Sequence, residues 1–586
     1  MKPFLFLFRF LCGTMVHAQN YTIQKTNWQE AGYRGTKPVF SQTVNVLNYG
    51  ADNTGTTSSN TALLNAMAAL NGQAGVVFFP AGTYFFNNNI VINRDSIVLR
   101  GAGYDSTELR FDLSGQLSNL IQVSGQQSID TAVLTATAVR GTFTATVVNA
   151  APFHVNDWVT LSMDDQAYMT ATWAYGSLSQ VMQIQSISGN TIMFRSPFRF
   201  NYALSNAPLI RRMIPRNNVG MECLKIRRED STVGQSSNIT FDYAVNCWIN
   251  GIESDTVNFA HVEINHASNI EVTNSYFHDA FAYGGNGQAY GVLLQFGTGE
   301  CLVEANYFKH LRHSMLLQAG ANGNVIAHNY SILPFWTEPS LPDSAAGDIV
   351  LPGNYPFLNL CEGNIIQNIV IDDSHGKNGP LNTFLRNRAE GFGIFMNFSP
   401  ATDSVQLIGN EITDTITGLY FIQGTGHVLY GNNLKGTYVT GDANIPDTSL
   451  YLVPGEHMLC ANGNAELTAL ALPGRYNKGS NYARARVAAG KPAACACVFI
   501  APSGVEAVAH AATIRMYPNP AQHIVQFRKG NSAVMIDRVE LIDAAGRTVL
   551  VAAHASSMVI DALPVGVYMV RMIAGKDVTV QRLVKQ

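Results

Sequence analysis

Short units of apolar and polar positions recur along the chain from about residue 219 to residue 470. Six of these units share an apolar residue, two further residues and then an asparagine. The asparagines are Asn306, Asn329, Asn368, Asn387, Asn410 and Asn432. They lie 19 to 23 residues apart, except for one interval of 39, which indicates either one coil with an enlarged loop or two short coils. Because a period near 22 residues is too short for a βαβ unit, the pattern predicts a parallel β-helix with a ladder of stacked asparagines.

Two different patterns precede the repeat. Residues 44–103 predict a strand, a polar turn, a helix that begins near Ser59 or Asn60, and then several short strands. Residues 131–213 carry hairpin-like strands and predict a small antiparallel insertion. The middle of that insertion, residues 164–180, is rich in Tyr, Trp and Ser. This composition fits two interpretations equally well: a loop that covers a sugar-binding groove, or a surface loop without a functional role.

The N-terminal motifs resemble those of a known superfamily. Residues 48–51 read NYGA, residues 77–84 read VFFPAGTY and residues 99–103 read LRGAG. This series, with the predicted helix between its first two motifs, resembles the opening of the pectate-lyase superfamily of right-handed parallel β-helices. The resemblance implies that the helix caps the N-terminal end of the β-helix, where an open strand edge would template aggregation.

The C-terminal part of the chain has its own pattern. Residues 488–513 are rich in alanine and lack the repeat, which indicates a linker. Beyond it, residues 517–527 read YPNPAQHIVQF, residues 539–550 read VELIDAAGRTVL and residues 563–572 read LPVGVYMVRM. Short alternating strands between Pro, Gly and Asn turns predict a small β-sandwich. In combination these motifs resemble the type IX secretion sorting domain, which implies export across the outer membrane by the type IX machinery.

Residues 1–18 have the arrangement of a secretory signal peptide, with Lys2, an apolar stretch and Ala18 before the expected cleavage site. The apolar stretch is shorter than the ~20 residues that a membrane-spanning helix needs. No later segment is apolar enough to span a membrane. The mature protein is therefore expected to be secreted or on the cell surface, without a membrane span after signal removal.

The composition of the chain argues against nucleic acid as a binding partner and limits the roles that its cysteines can have. With a formal net charge of −4 and 13% charged residues, the chain has no basic field that would attract nucleic acid. Seven cysteines follow the signal segment, an odd number that does not form a regular disulfide framework. Cys247 and Cys301 are expected to be buried. Cys495 and Cys497, which are separated by Ala496, could form a strained clip with each other or bind a metal ion together.

The expected fold class is all-β: a right-handed parallel β-helix solenoid with an N-terminal capping helix, a small antiparallel insertion and a C-terminal β-sandwich. The predicted segments are the signal peptide (1–18), the cap and first coils (40–130), the insertion (131–213), the main β-helix (214–487), the linker (488–513) and the sorting domain (514–586).

A parallel β-helix hosts many functions, so the chemistry must come from its side chains. The resemblance favours enzymes that cleave an extracellular polysaccharide, and two reaction types need different residues. A lyase must neutralise a uronate carboxylate, with Arg, Lys or Ca²⁺, and remove the adjacent proton with a base. A hydrolase needs two carboxyl groups on opposite sides of the glycosidic bond. No cofactor is certain, and Ca²⁺ is a candidate.

One cluster of ionisable residues follows from aligning two coils. SYFHDA (275–280) and NYFKHL (306–311) share a coil position, so His278 should stack beside Lys309, and Asp279 beside His310. The predicted catalytic residues are Lys309, His310, Arg312, His313, His278 and Asp279. Clusters of this kind shift pKa values, and a histidine near a cation and a carboxylate could act as a base. The alternative is a solvated corner with local ion pairs.

A second cluster lies at residues 371–390, and the loop from Leu333 to Phe357 adds an aromatic residue. The predicted substrate-binding residues are Trp336, Asp372, Asp373, His375, Lys377, Arg386, Arg388 and Glu390. Asp372 lies four residues after its repeat asparagine, in the register of Asp279 and His310, so the two clusters could share one groove. The alternatives are turn chemistry for the cluster and a rigid edge cover for the loop.

Polysaccharide cleavage is thus the leading hypothesis, with β-elimination of an acidic glycan favoured. Lys309, Arg312 and Arg386 would bind the substrate carboxylate, and His310 or His313 would be the base. An inverting hydrolase would instead use Asp279, Asp372 or Asp373 together with Glu390. A glycan-binding adhesin without catalytic activity is the alternative from another class.

Overall fold

The computed structural model describes residues 21–338, 341–397, 400–452, 481–495, 514–517, 521–529, 532–543, 548–574 and 577–585. The chain divides into two compact units, residues 1–502 and residues 503–586. The predicted signal peptide, Cys497 and most of the predicted linker lie outside the described residues. Among the described helices, none combines the length and the apolar character needed to cross a membrane.

The first unit is a right-handed parallel β-helix with three sheets, here called A, B and C. Sheet A contains Thr43–Asn45, Gly75–Phe79, Ile97–Gly101, Val219–Glu222, Trp248–Asn250, Glu271–Thr273, Leu302–Glu304, Val325–Ala327, Leu360–Glu362, Thr383–Leu385, Gln406–Ile408 and Val428–Tyr430. Sheet B contains Thr54–Ser58, Gly82–Phe86, Thr107–Phe111, Lys225–Arg228, Glu253–Val257, Tyr276–Ala280, Tyr307–Lys309, Tyr330–Ile332, Glu411–Ile412 and Asn432–Leu434, with Thr437–Thr440 pairing antiparallel at its end. Sheet C contains Ile90–Ile92, Ile121–Ser124, Ile239–Asp242, Ala260–Asn265, Tyr290–Gln295, His313–Leu317, Ile349–Gly353 and Leu419–Phe421.

Sheets B and C join at two long strands, Ile365–His375 and Arg388–Asn397. The first half of each pairs in sheet B and the second half in sheet C, with a register shift between the halves. A short parallel pair, Arg216–Asn217 with Ala244–Val245, precedes the sheet A strands Val219–Glu222 and Trp248–Asn250. Within the two long strands, the corner between sheets B and C is therefore crossed without a break in the strand.

A helix caps the N-terminal end, as predicted. Helix α1 spans Asn60–Ala69 and buries Leu63, Ala66 and Met67 in the same apolar core that runs inside the coils. The described part of the chain also contains five short 3₁₀ helices, at Trp28–Glu30, Val46–Tyr49, Thr172–Ala174, Leu204–Asn206 and Asp343–Ala345. Burying one side of the helix removes its apolar surface from water and covers the open end of the coil.

The predicted asparagine ladder is present, with one correction. Its members are Asn306, Asn329, Asn364, Asn387, Asn410 and Asn432. Each backbone N–H donates to the side-chain oxygen of the next member at 2.9 to 3.1 Å. Asn364, and not Asn368, takes the position, so the long interval is one coil of 35 residues with an enlarged loop. The Asn368 amide instead donates to the Ser344 and Ala346 carbonyls of that loop.

A second, shorter ladder lies between sheets C and A. The Asn324 backbone N–H donates to the Asn359 side chain at 3.1 Å, and the Asn359 N–H donates to the Asn382 side chain at 3.2 Å. All the side chains of both ladders are buried. Since a buried amide without partners is costly, these bonds from each coil to the next fix the register of successive coils.

The antiparallel insertion is present as well. Its six strands are Gln126–Val133, Thr144–Thr146, Trp158–Ser162, Gln180–Ser188, Thr191–Phe194 and Leu209–Ile214. It has an apolar core of its own, which also takes in Ala319, Phe357 and Leu358 from the coils. Arg199 anchors it to sheet A through an ion pair with Glu300, 2.8 Å from guanidinium nitrogen to carboxylate oxygen. The insertion is therefore packed against the β-helix.

Residues 481–495 form what we call the strap. Helix α2 of the strap spans Tyr482–Ala488, and its N-terminal N–H groups are capped by the side chain of Asn481. The Asn481 amide also donates to the backbone carbonyls of Asn329 and Gly363. Arg484 lies over the ring of Tyr330 in sheet B. Residues 488–495 of the predicted linker thus pack on the β-helix.

The C-terminal unit is a β-sandwich of two sheets. One sheet contains Ile514–Tyr517, Ile524–Lys529, Ser532–Ala533 and Ser557–Val559. The other contains Ile536–Ile542, Thr548–Ala555, Gly566–Ala574 and Asp577–Lys585. Ile536–Ile542 and Thr548–Ala555 pair antiparallel, while residues 544–547 between them lie outside the described part of the chain.

Candidate functional site

The predicted stacking of two coils in sheet B is confirmed. His278 and Lys309 are register partners in adjacent strands. The Nδ1 atom of His310 lies 2.7 Å from a carboxylate oxygen of Asp279, and Nδ1 of His278 lies 2.8 Å from the other oxygen. Asp279 thus lies between two imidazoles, and their hydrogen bonds hold the pKa of its carboxyl well below the usual value.

Three further charges complete what we call the sheet B cluster: Lys225, Glu253 and Asp255. The Nε2 atom of His278 lies 3.2 Å from Glu253, and the ammonium of Lys225 lies 2.8 Å from Glu253 and 3.0 Å from Asp255. Burial alone would lower the pKa of His278, but its bonds to Asp279 and Glu253 prevail and raise it. Ligand atoms of Glu253, Asp255 and His278 are close enough together for a divalent cation. The ammonium of Lys225 neutralises the same carboxylates.

A groove lies at the corner between sheets B and C, with a volume of about 800 Å³. We call it the corner groove. Its lining includes His310, Phe335, Asp343, Gln367, Glu390, Phe392 and Asp414. His310 belongs to the first predicted cluster and Glu390 to the second, so these two clusters meet here. The remaining members of the two clusters lie elsewhere.

A second groove, of about 470 Å³, lies on sheet C, and we call it the sheet C groove. Its lining includes Trp173, Phe259, Glu263, Tyr290, Gln295, Phe296, Arg312, Gln318 and His375. Aromatic rings follow one side: Phe296 stacks on His266 at 5.4 Å between ring centres, and Trp173 meets Phe296 edge to face at 6.0 Å. Flat apolar rings beside polar groups are typical of carbohydrate-binding grooves.

Arg312 is the cation of this groove. Its guanidinium lies 6.0 Å from the ring centre of Tyr290. The buried Nε atom has no hydrogen-bond partner. Within the described residues no carboxylate oxygen lies within ion-pair distance of Arg312, although Asp372 is near enough for the two charges to interact. A cation held on an aromatic ring without a carboxylate partner is prepared to bind an anion from solution.

Asp372 and His375 lie near Arg312. Asp372 is in the sheet C half of its strand, paired with Asn397, so the register predicted for it beside Asp279 and His310 is wrong. Burial raises the pKa of the Asp372 carboxyl. The hydrogen bond from the Ser374 backbone N–H, 2.9 Å away, and the charges of His375 and Arg312 lower it, but burial has the larger effect. The Nδ1 atom of His375 lies 3.3 Å from the Pro352 carbonyl oxygen, and the ring meets Trp173 edge to face.

His313, one of the two predicted bases, has a low proton affinity. Its Nδ1 donates to the Gly347 carbonyl at 3.1 Å. Burial, together with the neighbouring charge of Arg312, lowers the pKa of His313 to about 3. The imidazole is therefore neutral at ordinary pH and packs against the ring of Tyr290.

Several predicted binding residues face neither groove, because backbone or side-chain partners hold them. Arg386 is buried and donates to the carbonyls of Ile445 and Asp447 at 2.7 and 2.8 Å. Asp373 is buried and accepts bonds from Thr402 and Asn378. These two residues stabilise the coil.

The remaining predicted residues form surface contacts. Lys377 pairs with Asp403 at 2.8 Å, and Arg388 bridges Glu390 and Glu411 at 2.7 and 2.9 Å. The indole nitrogen of Trp336 donates to the Pro342 carbonyl within its own loop. Lys309 lies on sheet B between His278 and Ile332.

The loop at residues 164–180, for which the sequence left two interpretations, lies over sheet C. Asp165 organises it by accepting the N–H groups of Gly176 and Leu178, each at 2.8 Å. The backbone N–H of Thr170 donates to the side chain of Asn354, which fixes the loop against the coils. Trp173 thereby joins the groove.

Phe296 and Glu263 are groove residues that the sequence reasoning did not select. Glu263 lies between Val262 and Ile264, whose side chains point into the core. Because successive side chains of a strand point to opposite faces, this alternation would have predicted that Glu263 faces the surface. Nothing in the local sequence distinguishes Phe296, which follows the strand Tyr290–Gln295.

Comparisons with known proteins agree with this architecture. Residues 43–193 match the family model described as rhamnogalacturonase A/epimerase, pectate lyase-like. Residues 515–586 match the secretion system C-terminal sorting domain, which directs the protein through the type IX system to the cell surface or the extracellular space. No curated protein matches the chain.

Solved structures similar to this chain include proteins with different activities. The exopolygalacturonase of Thermotoga maritima is 11% identical, with a TM-score of 0.36 over 71% of this chain and 97% of that one. The surface adhesin PfbA of Streptococcus pneumoniae is 11% identical, with a TM-score of 0.39 over 67% and 85%. The tailspike gp49 of Pseudomonas phage LKA1 is 12% identical, with a TM-score of 0.39 over 67% and 78%. Similarity this low carries no argument about activity.

Proposed function

We propose that this secreted protein, a pectate-lyase-like β-helix with a type IX sorting domain, binds an anionic polysaccharide in the sheet C groove and cleaves it by β-elimination. The observation that carries the proposal is Arg312, a cation without a carboxylate partner among the described residues, in a groove lined by aromatic rings. A uronate residue supplies both the carboxylate for the guanidinium and a sugar face for the rings.

In this mechanism Arg312 neutralises the uronate carboxylate, which makes the proton on the adjacent carbon more acidic. His375 removes that proton. Its Nδ1–H is oriented toward the Pro352 carbonyl, so Nε2 carries the free lone pair of the neutral ring. Proton removal and loss of the glycosidic oxygen leave an unsaturated sugar on the new chain end.

Asp372 is the proposed acid for the leaving oxygen. Burial raises the pKa of its carboxyl, so the protonated form persists to a higher pH than for an exposed aspartate. Trp173 and Phe296 would hold neighbouring sugar rings by stacking, while Gln295 and Gln318 donate to sugar hydroxyls.

A second candidate function is hydrolysis in the corner groove. The observation in its favour is the bond between Asp279 and Nδ1 of His310, which orients the imidazole at a groove that Glu390 also lines. An inverting hydrolase needs carboxyl groups about 6.5–9.5 Å apart with a water between them. Glu390, Asp343 and Asp414 are the carboxylates of this groove.

The test is to incubate the purified protein with a panel of uronate-containing and neutral polysaccharides, with and without Ca²⁺. A rise in ultraviolet absorbance from unsaturated product supports the lyase, provided that Arg312→Ala abolishes it and Glu390→Gln does not. New reducing ends without that absorbance, lost in Glu390→Gln, would overturn β-elimination in favour of hydrolysis. Binding of a glycan without any product would make the protein an adhesin.

A further inference from the structure

The strap ends on the β-helix beside a second cysteine. The backbone N–H of Ala494 donates to the Asn274 carbonyl at 2.9 Å. The side-chain amide of Asn250 donates to the Cys495 carbonyl at 3.1 Å. On the adjacent coil, the backbone N–H of Cys223 donates to the Asn250 carbonyl at 3.2 Å. Asn250 therefore contacts the backbone of both cysteines, Cys495 through its side-chain amide and Cys223 through its own carbonyl.

The two thiols also interact with each other. Each thiol is the main influence on the ionisation of the other, so that the pKa of Cys223 is raised and the pKa of Cys495 is lowered. Cys495 is thus the thiol that ionises first, and a thiolate is the form that attacks a disulfide. Both residues are half-buried, so an oxidant in solution can approach them.

We propose that Cys223 and Cys495 form a disulfide in the exported protein, which ties the strap covalently to the β-helix. The sorting domain directs the chain to an oxidising compartment, where such bonds persist. Each thiol loses its hydrogen, and the two electrons and two protons pass to a disulfide of a thiol oxidoreductase, which becomes a dithiol. Cys247, Cys301 and Cys361 are fully buried within the coils and stay reduced.

The disulfide would keep the strap attached to the β-helix in the mature protein. Through the strap, Arg484 forms an ion pair with Glu390 at 2.7 Å, and the buried Arg486 bonds Asn274 and the Pro492 carbonyl. A cut that releases the sorting domain C-terminal to Cys495 leaves these contacts and the disulfide in place. The strap therefore remains over the tyrosines of sheet B after the sorting domain is removed.

Peptide mapping of the full exported chain tests the proposal. The protein is alkylated without reduction and digested with trypsin, in the wild type and in C495S and C497S. We expect the peptide 217–225, which carries Cys223, to be linked to the peptide that begins at Val487. The link should persist in C497S and disappear in C495S. C497S is the matched control, because Cys497 lies on the same second peptide.

Two results would overturn the proposal. One is recovery of Cys223 as a single alkylated peptide from the wild type. The other is a link that survives in C495S and is lost in C497S, which would assign the bond to Cys497. The melting temperature gives a second measurement: reductant should lower Tm by several degrees in the wild type and in C497S and leave C495S unchanged. An equal response of all three would count against the bond.

Discussion

The sheet B cluster and the sheet C groove differ in how their charges are paired. In the sheet B cluster, Lys225 contacts two carboxylates and His278 contacts three, and Asp279 lies between two imidazoles. In the sheet C groove, Arg312 has an aromatic ring beneath it and no carboxylate partner among the described residues. Paired charges satisfy one another, whereas the unpaired cation keeps its binding capacity for a ligand.

This difference makes the sheet C groove a better candidate for a ligand site than the sheet B cluster. The sequence places six ionisable residues near one another at sheet B, which suggests a catalytic centre. In the structure His278, Asp279 and His310 hydrogen-bond one another at sheet B, and of these three only His310 also lines a groove. Arg312 lies apart from them in the sheet C groove. A dense cluster of charges is therefore weaker support for a ligand site than a single charge without a partner, because pairing already accounts for the cluster.

The largest expected effect is that of removing the unpaired cation. Arg312→Ala should lower kcat/KM by about 1,000-fold, roughly 4 kcal/mol, since a preorganised charge in a groove is lost. The control is Arg227→Ala on sheet B, where the Arg227 guanidinium lies 4.0 Å from Asp255 and outside both grooves. It should change activity less than twofold. Equal losses in the two variants, measured by product absorbance, would remove the distinction between the regions.

Asp372→Asn should lower kcat by about 100-fold, because the leaving oxygen loses its acid. The raised pKa of Asp372 sets the sign of the pH dependence: the acid works while protonated, so the wild-type kcat falls as pH rises through that pKa. In Asp372→Asn this alkaline fall should disappear. A variant that keeps both full activity and the alkaline fall would show that Asp372 is not the acid.

For the paired region the expected effect is on stability. His278→Gln should lower the free energy of unfolding by about 2 kcal/mol, since charged hydrogen bonds to Asp279 and Glu253 are lost. The folded-state pKa of His278 is raised, so its contribution is complete below about pH 6.5, the unfolded value, and is lost as pH rises through the folded value.

Thermal unfolding at two pH values measures this dependence. The loss in Tm for His278→Gln should be larger at about pH 5.5 than at about pH 9. Burial would raise the pKa of Glu253, but His278 and Lys225 lower it below its usual value. The contribution of Glu253 to stability is therefore lost only at more acidic pH. Lys309→Met, at the register partner of His278, should change Tm little at either pH. A pH-independent loss for His278→Gln would exclude the charged hydrogen bonds as its cause.

The period of the repeat was sufficient to predict the coils, because each coil must place an asparagine at the same turn. The error at Asn368 has a local reason. Cys361, Glu362, Gly363 and Asn364 also fit an apolar residue, two others and an asparagine, and Ile365 directly afterwards pairs with Tyr330 of the previous coil. The loop before this coil obscured the spacing, so two asparagines four residues apart could not be distinguished by counting.

The site was predictable only where it depends on coil register. The contact of Asp279 with His310 follows from aligning two coils. The aromatic side of the sheet C groove does not, because Trp173 comes from the insertion, and no periodicity connects the insertion to sheet C. Arg386 shows the reverse problem: its burial depends on residues 445–447, which return across the coil from far along the chain.

The smallest expected effect concerns the aromatic side of the groove. Trp173→Ala should raise KM by about tenfold, near 1.4 kcal/mol, with little change in kcat, because stacking on a sugar ring contributes to binding before and during the reaction alike. Tyr175→Ala is the matched control, since Tyr175 is an exposed aromatic of the same loop and does not line the groove. Initial rates across a range of polysaccharide concentrations separate KM from kcat. If both variants raise KM equally, the loop acts through its backbone; if Trp173→Ala lowers kcat instead, the indole orients the reacting sugar, and the aromatic side belongs to catalysis together with Arg312.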